Sequence, residues 1–137
     1  MRMTKSNWNR RMALLRQRAA AGDIAAVRDL GHTLLEGIQD RKGRSLVRRN
    51  PAYAARLIHR AAESGDGMAA VLLGYMYAAG MGVRPNSTLA LYWDRRAVAQ
   101  GEANGFNLAA EYRRQGNLRL AHRWFLRAAK DGDGELQ

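Results

Sequence analysis

A glycine-marked motif recurs along this 137-residue chain, and a recurring unit restricts the chain to repeat architectures before anything else is weighed. Three stretches read alike: Arg60-Ala61-Ala62-Glu63-Ser64-Gly65-Asp66, Arg96-Ala97-Val98-Ala99-Gln100-Gly101-Glu102 and Arg127-Ala128-Ala129-Lys130-Asp131-Gly132-Asp133. A weaker fourth is Arg18-Ala19-Ala20-Ala21-Gly22-Asp23. The marker glycines Gly22, Gly65, Gly101 and Gly132 are spaced 43, 36 and 31 residues apart. The register extends beyond them. Eight residues before each sit Leu14, Leu57, Trp93 and Trp124. Eleven before the last three sit Ala54, Ala90 and Ala121, and fifteen before them Asn50, Asn86 and Asn117. Fifteen after the first three come Gly37, Gly80 and Gly116.

Each recurring residue has a physical role. Asparagine caps helix N-termini because its side-chain oxygen accepts an unpaired backbone N–H of the first turn. Asn50 is followed by Pro51, which suits the first helical position. The marker glycines suit the left-handed turn that ends a helix, and Asp23 and Asp66 can cap the helix that follows. Alanines in register permit close helix–helix approach, and the Leu or Trp one turn on fills the gap between pairs. A unit is therefore a front helix, a loop and a back helix. Front helices are expected near 23–36, 66–79 and 102–115, and back helices near 50–64, 86–100 and 117–130. A first helix near 7–21 occupies a back-helix slot and caps the array. The reading is seven helices and no strand in one domain over 1–137, with repeats at about 22–65, 66–101 and 102–132 and a frayed tail at 133–137. Loop length varies, with 37–49 the longest.

The residues Leu73-Gly74-Tyr75-Met76-Tyr77, then Gly80-Met81-Gly82-Val83, then Ala90-Leu91-Tyr92-Trp93 and Arg96-Ala97 resemble the Sel-1-like repeat, a relative of the tetratricopeptide repeat. The unit at 66–101 matches well. The unit at 23–65 matches with an enlarged loop, and the unit at 102–132 lacks the Gly-x-Gly-Val loop. The resemblance implies an all-α, right-handed α-solenoid of about seven antiparallel helices that acts as an adaptor or scaffold rather than an enzyme. Cysteine-rich members are linked to cell-wall-related ligands, and this chain, with no Cys, departs from them. The resemblance also implies a concave face lined by front helices. On the second unit that face carries Met68, Val71, Tyr75 and Ala79. Matching positions are Arg28, His32 and Glu36 in the first unit, and Asn104, Asn107, Glu111 and Arg114 in the third. Packing on a neighbouring helix accounts equally well for Met68 and Val71, and a solvated face for Tyr75, Asn107 and Arg114.

Composition narrows the chemistry. With 47% apolar residues the chain should fold, and without Cys it has no disulfide, no Cys-ligated zinc and no thiol nucleophile. Gly80-Met81-Gly82 has no preceding strand and no following Lys-Ser or Lys-Thr, so it is not a phosphate loop. His32, His59 and His122 fall at unrelated repeat positions without carboxylates at metal-ligand spacing. Asp94 beside Arg95 and Arg96 suggests a surface ion pair. Nothing nominates a catalytic group or a cofactor, and no enzyme activity is expected.

The formal charge is +11, from 20 Arg and three Lys against 12 acidic residues. It is uneven: residues 1–50 carry 12 basic and 4 acidic side chains, and residues 51–137 carry 11 and 8. Such an excess favours acidic partners, although genome composition also produces Arg-rich chains. The marker arginines Arg60, Arg96 and Arg127 recur in register and read as scaffold. What stands apart is the basic first helix and the run Arg41, Lys42, Arg44, Arg48, Arg49 in the enlarged loop. That run could bind nucleic acid, but only Tyr53 is nearby for stacking, and it reads as facing a helix partner. Arg10-Arg11 before Met12-Ala13-Leu14-Leu15 hints at a twin-arginine signal, and the acid-free start at a transit peptide. The apolar run stops at Arg16-Gln17-Arg18, short of the ~7–15 residues a signal requires. No stretch approaches the ~18 apolar residues of a membrane span. The expectation is a cytoplasmic module binding a protein with an acidic surface, with an immunity protein against a toxin as one form. The alternative is nucleic-acid binding through the basic half. Trp124-Phe125-Leu126 places apolar side chains on more than one side of the last helix, which favours self-association there.

Overall fold

Successive helices pack as antiparallel neighbours along the whole chain. The computed structural model describes residues 3–103 and 105–135, with side chains to residue 130. The helices are α1 (Lys5–Ala20), α2 (Ile24–Glu36), α3 (Pro51–Glu63), α4 (Gly67–Ala79), α5 (Ser87–Ala99), α6 (Phe106–Arg114) and α7 (Leu118–Glu135). Each contacts the next in sequence, and α2 also touches α4, so the front helices α2, α4 and α6 alternate with the back helices α3, α5 and α7.

The capping logic holds in detail. Asn50, Asn86 and Asn117 accept the backbone N–H of Tyr53, Leu89 and Leu120 at 3.3, 3.0 and 3.2 Å. Asp23 and Asp66 do the same for Ala26 and Ala69 at 3.2 and 2.8 Å. Replacing Asn86 with Ala should cost about 1 kcal/mol, read as a lower urea midpoint at unchanged slope. Gly22, Gly65 and Gly101 all have positive φ (92°, 97° and 77°), as the turn between units requires.

Close approach explains the alanine register. Ala54 and Ala90 are fully buried, and Gly31 and Gly74 of the front helices lie against their carbonyl oxygens. One core runs from α1 to α5, and a smaller one joins Leu91, Leu108, Tyr112 and Ala121. The α5–α6 junction between them is the thinnest contact between successive helices.

Four expectations need correction. The third front helix begins at Phe106, not near 102, because Glu102 replaces the capping Asp of the first two units. Its N-cap is Gly105 in the left-handed region, without a side-chain cap bond. Glu102 instead lies over Gly67, the first residue of α4, where a carboxylate complements the helix dipole. The last helix runs to Glu135, past the marker Gly132. Leu14 is 45% exposed, unlike Leu57 and Trp93 at the same register position. Finally, the enlarged loop contains a two-stranded antiparallel hairpin, β1 (Ile38–Gln39) and β2 (Ser45–Val47). Asp40 closes its turn, accepting from the backbone N–H of Lys42 and Arg44 at 2.9 Å and from Arg44 Nε at 2.8 Å. Val47 and Ile38 anchor the hairpin on the core, and β2 also touches α1.

Candidate partner-binding face

The helix α4 reads Gly67-Met68-Ala69-Ala70-Val71-Leu72-Leu73-Gly74-Tyr75-Met76-Tyr77-Ala78-Ala79 and carries no charged side chain. Ala69, Ala70, Leu73 and Met76 are buried against neighbouring helices. On the other side Met68 and Tyr75, seven residues apart and hence on one stripe, are 46% and 55% exposed. Ala79 is exposed beyond them, and Val71 is half-buried. A helix that is apolar all round belongs in an interior, so its solvent-facing stripe is the anomaly of this face.

The flanking helices supply polar groups. On α2, His32 and Glu36 are exposed, with Nε2 and Oε1 3.5 Å apart. Arg28 is engaged structurally: Nε donates to Asp29 at 3.1 Å, and Nη1 donates to Asp66 at 3.0 Å. The second bond ties α2 to the cap of α4. On α6, Asn107 is exposed and Asn104 lies outside the described residues. Arg114 is exposed but donates to Glu111.

Glu111 departs from the expectation. It occupies the same place in its unit as His32 and Tyr75, ten residues after the marker glycine, yet it is 2% exposed and does not line the face. Counted from the marker glycine, the buried positions of α6, Leu108, Ala109 and Glu111, come one residue earlier than Leu73, Gly74 and Met76 of α4, so Glu111 takes the place of buried Met76. Glu111 therefore points toward α5, where Asp94 is also buried. The surface ion pair expected for Asp94 is not formed: Arg95 lies over the Tyr112 ring and Arg96 over the Trp93 and Tyr92 rings. Gly74 leaves the space that the Asp94 carboxyl fills. Burial, and secondarily the charge of Glu111, push the Asp94 carboxyl up to about 6, against the opposing pull of Arg114. The sequence signal that could have placed Glu111 is Leu108-Ala109, which matches Leu30-Gly31 and Leu73-Gly74 one residue closer to the marker glycine and so sets Glu111 level with Met76.

The basic run splits into two groups. Arg41, Lys42 and Arg48 are exposed and form no ion pair among the described residues. Arg44 is held by Asp40, and Arg49 Nε donates to the Leu35 carbonyl at 3.2 Å. Tyr53 does not face a helix partner; it is 37% exposed, with Arg56 over its ring.

The Sel1 repeat model matches residues 25–66, 67–102 and 106–133. The chain belongs to the Sel1 repeat family. The third match begins at 106, where α6 begins. Ten solved chains are similar to it. One is described as the crystal structure of a Sel1 repeat protein from Oxalobacter formigenes, with 27% identity, a TM-score of 0.73, and coverage of 87% of this chain and 89% of that one. No curated protein matches. Sel1 repeats mediate protein–protein interaction, and the family is typically non-enzymatic. Among the described residues, no helix is long and apolar enough to cross a membrane.

Proposed function

We propose that this Sel1 protein is a non-enzymatic cytoplasmic adaptor or inhibitor that binds one protein partner on the face formed by α2, α4 and α6. The observation that carries the reading is the apolar stripe of Met68 and Tyr75 on an uncharged helix in the middle of the array. Exposed aromatic and methionine side chains rimmed by polar groups are the usual centre of a protein interface. His32 and Glu36 on α2 supply such a rim, whereas Asn107 and Arg114 on α6 are exposed but flank buried Glu111 on the same stripe. The net charge of +11 favours a partner with an acidic surface and speeds its approach. An immunity protein that occludes a cognate toxin is one form of such an inhibitor.

The test pairs Met68→Glu with Tyr75→Glu, since both side chains are exposed and Arg114 is better left in place to offset Glu111. Affinity capture from the native host should recover one stoichiometric protein with the parent chain and lose it with the double variant, at an unchanged melting temperature. Equal recovery by both chains contradicts the reading. Self-association through the last helix is a second proposed contact. Leu118 and Leu126 are 67% and 59% exposed, and Phe125 meets Phe106 at 6.0 Å between ring centroids. Nucleic-acid binding through the basic half is the alternative, supported by the exposed Arg41, Lys42 and Arg48.

A further inference from the structure

The hairpin and the start of α1 enclose a second concavity, a groove of about 990 Å3 away from the front-helix face. Its apolar lining comes from Met3 and Trp8 on one side and Ile38 and Leu46 on the other. Lys5, Arg41 and Lys42 border it, and none of the three forms an ion pair among the described residues. The charge at the groove is not offset from within. Asp40, the one acidic residue lining it, is held in the turn by three hydrogen bonds, chiefly the Arg44 backbone N–H, which keep its carboxyl below the usual range. Arg44 balances it. Helix α1 contains no acidic residue at all.

We propose that the groove between α1 and the hairpin is a second binding site, which takes an extended acidic peptide segment carrying a bulky apolar side chain. The apolar lining accepts the side chain, and Lys5, Arg41 and Lys42 accept the flanking carboxylates. Burying an apolar anchor supplies affinity, while the cations supply orientation and approach rate. A nucleic acid fits less well. Stacking a base requires an open aromatic face, whereas Trp8 is half-buried and packed on the core, and the Arg11 guanidinium lies over its ring at 5.3 Å. The site does not depend on the front-helix reading, because it shares no residue with that face. Sequence order hides it: Trp8 precedes the hairpin by thirty positions and meets it only once α1 packs.

Fluorescence anisotropy of the full chain tests the assignment with three labelled probes: a short peptide alternating glutamate with leucine and phenylalanine, polyglutamate of equal charge, and oligouridylate. The peptide should bind roughly tenfold more tightly than polyglutamate, the worth of one buried anchor. Arg41→Glu with Lys42→Glu should weaken it by roughly the same factor, as should Trp8→Ala at an unchanged helical circular dichroism spectrum. Met68→Glu with Tyr75→Glu should leave it unmoved. Equal binding of polyglutamate, tighter binding of oligouridylate, or indifference to the exposed charge reversal overturns the proposal. Because Arg41 and Lys42 are both exposed, the charge-reversal pair decides the matter even if Trp8→Ala fails to fold.

Discussion

At pH 7.5 the Asp94→Asn variant should melt about 5 °C above the parent chain, and the gap should shrink as the pH falls toward 5. The sign follows from the direction of the shift. Asp94 is raised to about 6 in the folded protein, above the usual ~3.9 of an unfolded aspartate. The folded state therefore holds this proton more tightly than the unfolded state does. That stabilisation is fully present below the unfolded value and is lost as the pH rises through 6. Above that range an ionised Asp94 sits buried beside Glu111, at a cost of about 3 kcal/mol relative to its protonated form. An uncharged isostere removes most of the cost but gives up the attraction to Arg114, so about 2 kcal/mol is a realistic gain. Other carboxylates titrate too, so the informative quantity is the difference between the two melting curves at each pH. If that difference is constant from pH 5 to 8, Asp94 does not carry the proton.

The second large effect is structural. Trp93→Ala should cost about 3–5 kcal/mol, enough to leave a marginally stable domain partly unfolded at 37 °C. Trp93 is 3% exposed and sits at the junction of α3 and α5. The His59 ring meets it edge-on at 5.6 Å, and Arg96 covers it at 4.9 Å from the ring centroid. The register-equivalent change Leu14→Ala should cost under about 0.5 kcal/mol, because that side chain is solvent-facing. Thermal denaturation of the two variants side by side separates repeat position from burial: equal losses would mean that the register alone decides.

That contrast shows where the sequence is informative. Capping is local, so Asn50, Asn86, Asn117, Asp23 and Asp66 announce their helices within four residues, and all five bonds form. The marker arginines Arg96 and Arg127 are legible as scaffold, and each stacks on the tryptophan three residues earlier. Burial at array ends is not local. Leu14 obeys the register yet is exposed where Leu57 and Trp93 are buried, because burial depends on which helices pack over the position. Counting from the marker glycine sets α6 one residue out of step, and the Leu108-Ala109 pair was the available signal of it, so Glu111 and Asp94 read as surface residues although both are buried. The hairpin is not legible in the sequence, because its strands have two and three residues, too few for an alternating pattern. Asp40 followed three residues later by Gly43, which has φ of 79°, was the available turn signal.

The front-helix face as the docking surface is the central claim, and a photo-crosslink tests it most directly. Benzoylphenylalanine placed at Tyr75 and, separately, at Arg60 on the back helix α3 compares the two sides of the array in the native host. Crosslinking from position 75 to a single protein, with none from position 60, is the predicted result. Equal adducts from both positions, or none from position 75, would contradict it.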